Sequence, residues 1–145
     1  MIRARGLLSA GFAAFIFLTG CGSTKERAAF DPAFVESMCK KLDGVWAGTR
    51  EDTDRRSLGT YRLTLTCDGR TLSGSYEGVM QTEAGPRPFS QNAINVMINT
   101  EGLTYQSFNS SAHVTNYEFT LDGDNLTGTS EGNTDIIWYN LRRRP

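Results

Sequence analysis

Two periods divide the chain. Between Asp31 and Leu42, Phe34, Val35, Met38, Cys39 and Leu42 recur at helical spacing with polar residues between them. Asp31-Pro32 supplies an N-cap followed by proline at the first helical position. Lys40 and Lys41 suit the last turn, and Gly44 closes it. The pattern predicts one short helix over 32–42. From Val45 onward the period is two. In Tyr61–Cys67, Tyr61, Leu63, Leu65 and Cys67 face one side while Arg62, Thr64 and Thr66 face the other, the signature of a half-buried strand. The same alternation runs through Leu72–Gly78, Ile94–Asn99, Tyr117–Leu121 and Leu126–Ser130, with Asp68-Gly69, Glu101-Gly102 and Asp122-Gly123 as turn signals. Adding Val45–Glu51, Leu103–Phe108 and Asp135–Leu141 gives about eight strands joined by short turns. The expected fold is all-β: a single antiparallel meander, closed or half-open as a barrel, because closure removes sticky edges.

An internal echo fits that scheme. Cys67–Gly78 and Leu121–Gly132 share Asp-Gly-x-x-Leu-[Ser/Thr]-Gly-[Ser/Thr]-x-Glu-Gly at a spacing of 54 residues. Each matching residue has a turn or pleat explanation, so two similar hairpins account for it better than a duplicated ligand loop.

The length of 145 residues suits one domain. Gly, Thr, Ser and Asn are frequent and Pro is scarce, again as in a turn-rich β domain. The chain carries 15 Lys and Arg against 16 Asp and Glu; without Arg3 and Arg5 of the first twenty residues, 13 remain against 16. Such a surface does not recruit nucleic acid, whose binding depends on neutralising phosphates.

The N-terminus has its own logic. Met1-Ile2-Arg3-Ala4-Arg5 is basic, Gly6–Leu18 is apolar, and Thr19-Gly20 are small. These are the parts of an export signal over residues 1–20, and the apolar run is shorter than the roughly 20 residues a membrane span needs. Leu18-Thr19-Gly20-Cys21 resembles the bacterial lipobox. That resemblance implies diacylglycerol on the Cys21 thiol, cleavage before Cys21 and acylation of the new amino group. Two or more acyl chains anchor a protein stably. Gly22, rather than Asp, follows the modified cysteine, which by the same resemblance implies the outer membrane, with the domain facing the periplasm. Residues 21–30 are polar and aperiodic and read as a lipidated tether, reaching at most roughly 30 Å. Residues 31–145 form the helix plus β-barrel domain.

Within that domain, Gly44-Val45-Trp46, followed later by Leu72-Ser-Gly-Ser-Tyr76, resembles the Gly-x-Trp opening and strand rhythm of lipocalin- and avidin-like barrels. The resemblance implies architecture and carries no ligand motif. With Cys21 acylated, Cys39 and Cys67 remain as an even pair in an oxidising compartment, where bridging is the rule and two buried thiols the alternative. The bridge would close the chain from 39 to 67 and contribute roughly 3.5 kcal/mol in the chain-entropy view.

Candidate chemistry is sparse. His113 is the sole histidine and lies in a polar stretch, so neither a transition-metal site nor a Ser–His–Asp arrangement is supplied. Glu51-Asp52-Thr53-Asp54 before Arg55-Arg56 lacks calcium-loop spacing and reads as a solvated turn. Arg142-Arg143-Arg144 is the one basic concentration, a solvated tail or a contact for anionic headgroups. No catalytic residue, metal or cofactor is assigned. The expected role is non-enzymatic binding of a small apolar or amphipathic ligand in the barrel lumen. Tyr61, Tyr76, Tyr117, Phe119 and Trp138 would line it, beside Leu63, Leu65, Ile94, Val96 and Ile98. The alternative is a protein-interaction or inhibitor module of the periplasm, presenting the loop Glu83–Ser90. A hollow lumen favours the first reading and a filled one the second.

Overall fold

The helix forms where its cap and stripe place it. In a computed structural model, which describes residues 31–109, 111–132 and 135–145, α1 spans Pro32–Leu42. The Asp31 carboxylate accepts the Ala33 N–H at 2.9 Å, and Pro32 occupies a position whose N–H would have no helical partner anyway. The signal segment 1–20, Cys21 and the tether 21–30 lie outside the described residues.

Nine strands follow among the described residues: β1 (Gly44–Glu51), β2 (Ser57–Asp68), β3 (Thr71–Thr82), β4 (Gly85–Asn92), β5 (Ile94–Ile98), β6 (Gly102–Phe108), β7 (Val114–Asp122), β8 (Asn125–Glu131) and β9 (Ile136–Arg144). They form one antiparallel sheet in the order β4-β3-β2-β1-β9-β8-β7-β6-β5, curled into a half-barrel in which the first strand lies beside the last. The expected all-β meander with one short helix is the observed fold.

The additional strand is β4. It overlaps the expected loop Glu83–Ser90 and contains Pro86 and Pro88, which ordinarily interrupt a strand. They are tolerated because β4 is an edge, where a missing N–H costs no ladder bond on the open side. Ala93 alone separates β4 from β5, and its N–H donates to the Gly74 carbonyl at 2.9 Å. The two outermost strands of the sheet are therefore halves of one bent stave. Its first half pairs with β3 and its second with β6. At the bend the β5–β6 register slips between Ile94 and Met97, Asn95 takes a φ of 52°, and Ile94 turns outward instead of into the core.

Tight curling needs places where backbones approach closely. A Cβ on Gly48 would lie 1.9 Å from the Asn140 carbonyl oxygen, and one on Gly128 would lie 2.1 Å from that of Glu118, so neither position admits a side chain. Gly128 belongs to the internal echo. Both copies of the echo are hairpins, β2–β3 and β7–β8, and their leucines, Leu72 and Leu126, are buried in the same core.

The strands alternate direction, so the half-barrel has two distinct ends. The turns β2–β3, β5–β6 and β7–β8 share one end with α1; the turns β1–β2, β3–β4, β6–β7 and β8–β9 ring the other. The helix end is shut. Cys39 and Cys67 form a disulfide with their Cα atoms 5.5 Å apart, as the even pair predicts. Leu42 is fully buried, and the Trp46 indole N–H donates to its carbonyl at 2.8 Å. The Asp43 carboxylate accepts the Cys67 N–H at 2.8 Å. Arg143 completes the closure: its guanidinium lies 4.3 Å from the Trp46 ring centre and donates to the Asp43 carbonyl at 2.6 Å and to the Lys41 carbonyl. A cation at the C-terminus of a helix also meets the negative end of its dipole. Arg142–Arg144 thus belong to β9 and are no solvated tail, because the sheet needs that last strand beside β1.

Replacing Cys39 and Cys67 together by serine should destabilise the domain by about 3 kcal/mol and lower Tm by roughly 10–15 °C, followed by thermal circular dichroism. A negligible change would mean that Trp46 and Arg143 hold the helix unaided.

Candidate functional site

The barrel interior is where the periodicity placed a binding site, and it is occupied by the protein itself. All five tyrosines of the chain point inward. Tyr61 from β2, Tyr76 from β3, Tyr105 from β6, Tyr117 from β7 and Tyr139 from β9 meet Phe89 and Phe119 in one ring cluster. Tyr105 stacks on Tyr117 with centroids 4.4 Å apart, and Tyr61 meets Tyr139 edge-on at 4.7 Å. Such pairs contribute about 0.5–1.5 kcal/mol each beyond their buried area. Below them, towards the helix, Leu63, Leu65, Leu103 and Leu141 fill the remaining space.

A buried phenol must also satisfy its hydroxyl. The Tyr61 and Tyr105 hydroxyls bond each other across the barrel, and Tyr76 donates to the Gln91 side-chain carbonyl. The Tyr139 hydroxyl lies 3.0 Å from Ser130 Oγ, and Ser107 Oγ donates to the Tyr117 hydroxyl at 3.5 Å. Burial, with other tyrosines close by, pushes the Tyr61 phenol well above its usual range. Burial likewise raises Tyr76, Tyr105 and Tyr139. At neutral pH these four hydroxyls stay protonated and act as hydrogen-bonding groups, not as bases or nucleophiles.

Of the residues expected to line the lumen, Tyr61, Tyr76, Tyr117 and Phe119 come together in this cluster, packed against one another. Trp138 does not join them. It is 41 % exposed on the outer face, with the Arg55 guanidinium 4.8 Å from its ring centre. Ile136-Ile137-Trp138-Tyr139 is apolar throughout and hides its own parity; the buried positions are Tyr139 and Leu141. Tyr105, Phe89 and Tyr139 are the core rings that the alternation alone did not single out. Tyr105 could have been found, since it opposes Tyr117 in the ladder.

The charged motifs are engaged locally. Asp52 accepts the backbone N–H groups of Asp54 and Arg56, both at 2.9 Å, and the Arg56 side chain at 2.9 Å; the Arg56 hydrogen bonds lower its carboxyl below the usual range. Asp54 pairs with Arg56 at 3.0 Å, so this turn is wired by its own charges. His113 is exposed in the β6–β7 turn, its backbone N–H donating to Asn109 Oδ1 at 3.0 Å. Among the described residues there is no cluster of three or more His, Cys, Asp or Glu placed to hold a metal ion.

One charged side chain remains inside the open end. Arg50, on β1, is 7 % exposed and lies between Gly59 and Tyr139 in the ladder. Its guanidinium carbon is 4.7 Å from the centre of the Phe89 ring and one terminal nitrogen donates to the Leu58 carbonyl at 3.2 Å, while Nε is buried with no hydrogen-bond partner. At the same end Phe108, Val114, Ile136 and Trp138 are exposed around the β6–β7 and β8–β9 turns. Nothing in the sequence pattern marked Arg50, because an arginine on a strand reads as an outward residue.

Set against known protein families, curated proteins and solved structures, the chain matches none.

The four raised phenols give the fold an alkaline limit. The unfolded chain ionises its tyrosines near 10 and the folded one resists. The stabilisation is therefore complete below about pH 10 and is lost as the pH climbs towards the folded values, at about 1.4 kcal/mol per pH unit for each phenol held back. Tyrosinate absorbance should rise in one cooperative step that coincides with loss of structure. A gradual rise in folded protein would show that the rings are open to solvent.

Proposed function

We propose that this chain is an exported envelope lipoprotein, anchored through Cys21 at the outer membrane and facing the periplasm, whose all-β domain is a non-enzymatic binding module working through the open end of its half-barrel. The lipobox Leu18-Thr19-Gly20-Cys21 and the preceding signal segment support the address.

The observation that carries the reading is the asymmetry of the two ends. The end that carries α1 is sealed by the disulfide, Trp46 and Arg143. Near the opposite end Phe108, Val114 and Ile136 are exposed on the outer face of their strands, beside the β6–β7 and β8–β9 turns. A ligand swallowed whole in the lumen is disfavoured, because the ring cluster fills that volume. Recognition moves to the mouth, either of a small amphipathic molecule or, as in the interaction-module reading, of a protein group inserted there. The packed interior favours the second reading over a lipocalin-like cavity, with Glu83–Ser90 presented by the β3–β4 turn and the exposed edge strand β4.

Two measurements test this. Cys21→Ser should release the protein from the envelope fraction under high-salt washing; retention in the pellet would overturn the anchor. A photo-cross-linking residue at Phe108 should give a discrete adduct in intact cells that the same residue at Ser73, near the sealed end, does not give. Equal labelling at both positions, or none at either, would overturn a binding role for the mouth.

A further inference from the structure

We propose that the outer face of β5–β9 is a docking surface for a protein segment in which a lysine or arginine is flanked by apolar residues. This deepens the binding-module reading and rests on it. Apolar exposure is unevenly distributed over the molecule. Seven large apolar side chains are exposed among the described residues, and all but Met80 lie on the outer face of this half of the sheet. The ladder sets four of them in two rows. Trp138, Thr129, Glu118, Thr104 and Met97 stand side by side from β9 to β5, and Ile136, Glu131, Asn116, Gln106 and Ile94 form the next row. Each row begins and ends on an apolar side chain and holds a carboxylate between. Phe108 and Val114 pair beyond them, towards the open end. The other half is a plain solvated face, where Thr64 opposes Ser75 and Arg62 is matched by Glu77 at 3.7 Å.

Between the apolar ends the surface is hollowed. A depression of about 560 Å³ lies over Thr104, Gln106, Asn116 and both carboxylates, with Met97 on its bank. A second, of about 370 Å³, lies beside Trp138 and shares Glu118 and Thr129 with the first. The rows cross four interstrand spacings, roughly 19 Å, the length of about six residues of extended chain. Glu118 and Glu131 are diagonal neighbours on β7 and β8, and none of the ion pairs among the described residues involves either. Basic residues of the face are engaged elsewhere: Arg55 with the Trp138 ring and Glu51, Arg142 with the Asn125 side-chain carbonyl at 3.3 Å. Two adjacent like charges call for a cation between them. Apolar groups settling at both ends of the rows would withdraw that cation from water and strengthen its attraction. A second copy of this chain, docked face to face about a two-fold axis, would set carboxylates against carboxylates, and an anionic lipid surface would be repelled in the same way. A neutral glycan needs free donors and acceptors, but the amides of the floor are engaged with one another: Asn95 Nδ2 donates to Gln106 Oε1 at 2.8 Å, and Gln106 Nε2 to Asn116 Oδ1 at 2.9 Å. A basic segment with apolar neighbours meets every one of these conditions.

The test uses the full chain in intact cells, with a photo-cross-linking residue at Met97, at Ile136 or, as control, at Ser75 on the outer face of β3. Met97 and Ile136, on opposite banks, should link to the same protein, and Ser75 should not. Sequencing the linked peptide should find lysine or arginine beside the link. Glu118→Gln together with Glu131→Gln should lower the yield at both positions roughly tenfold or more. The same pair of substitutions should leave Tm equal or higher, since no ion pair is lost and a like-charge contact is relieved. An adduct with the mass of two copies of this chain, or one to glycan or lipid, would overturn the proposal. So would a linked peptide without a basic residue, a yield that the glutamine variant leaves intact, or equal labelling at Ser75. A marked fall in Tm of the glutamine variant would assign the two carboxylates to the fold instead. A Phe108 cross-link that persists while Met97 and Ile136 give none would remove this surface and leave the binding module standing. Absence of the Phe108 adduct, by contrast, would remove the module itself.

Discussion

The structure depends on a desolvation problem and its solution: five phenols inside one small half-barrel, their hydroxyls held by partners that other strands supply. Tyr61 and Tyr105 answer each other from β2 and β6, Tyr76 needs Gln91 from β4, and Tyr139 needs Ser130 from β8. A hydroxyl left alone in such a place would cost about 1–3 kcal/mol. The network therefore does more than fill space. It ties strands far apart in the sheet to a single register, since a slip by one residue would turn each ring outward and strand its partner. Leucines alone would fill the volume without specifying which strands face each other.

Curvature follows from the same demand. For β2 to face β6 the sheet must curl until its two edges are bridged by the bent stave through Ala93. The glycines at Gly48 and Gly128 let neighbouring carbonyls come closer than any side chain would permit. The helix then closes one end, and Arg143 fixes it there by serving the helix carbonyls and the Trp46 ring together. One basic residue of a run that resembles a tail is thus a structural clasp.

Much of this was legible in the sequence, and the failures have physical causes. The helix, its cap, the alternating strands and the cysteine pair could be read because each depends on local spacing or simple chemistry. The strand β4 escaped because Pro86 and Pro88 mimic a loop, and only an edge position excuses them. Trp138 lies outward against expectation because four consecutive apolar residues carry no period; the ladder with β1 and β8, which no local pattern encodes, decides it. Ile94 was lost to a bulge at the stave's bend, where alternation breaks. Arg50 was invisible for a different reason. Its parity with Trp46 and Gly48 is inward, but a charge at an inward position contradicts the rule by which strands are read.

That contradiction is itself informative. Arg143, another charge at an inward position, is accounted for by the Trp46 ring and the helix carbonyls, and the inward Ser107 and Ser130 serve tyrosine hydroxyls. Arg50 serves no such group with its Nε, which is buried without a partner. If the arginine were needed only to close the barrel, a leucine beside Gly59 and Phe89 would do so without the cost of desolvating a charge. The ring cluster and the arginine thus follow different rules: the tyrosine hydroxyls have partners that other strands supply, whereas the guanidinium keeps one donor unpaired.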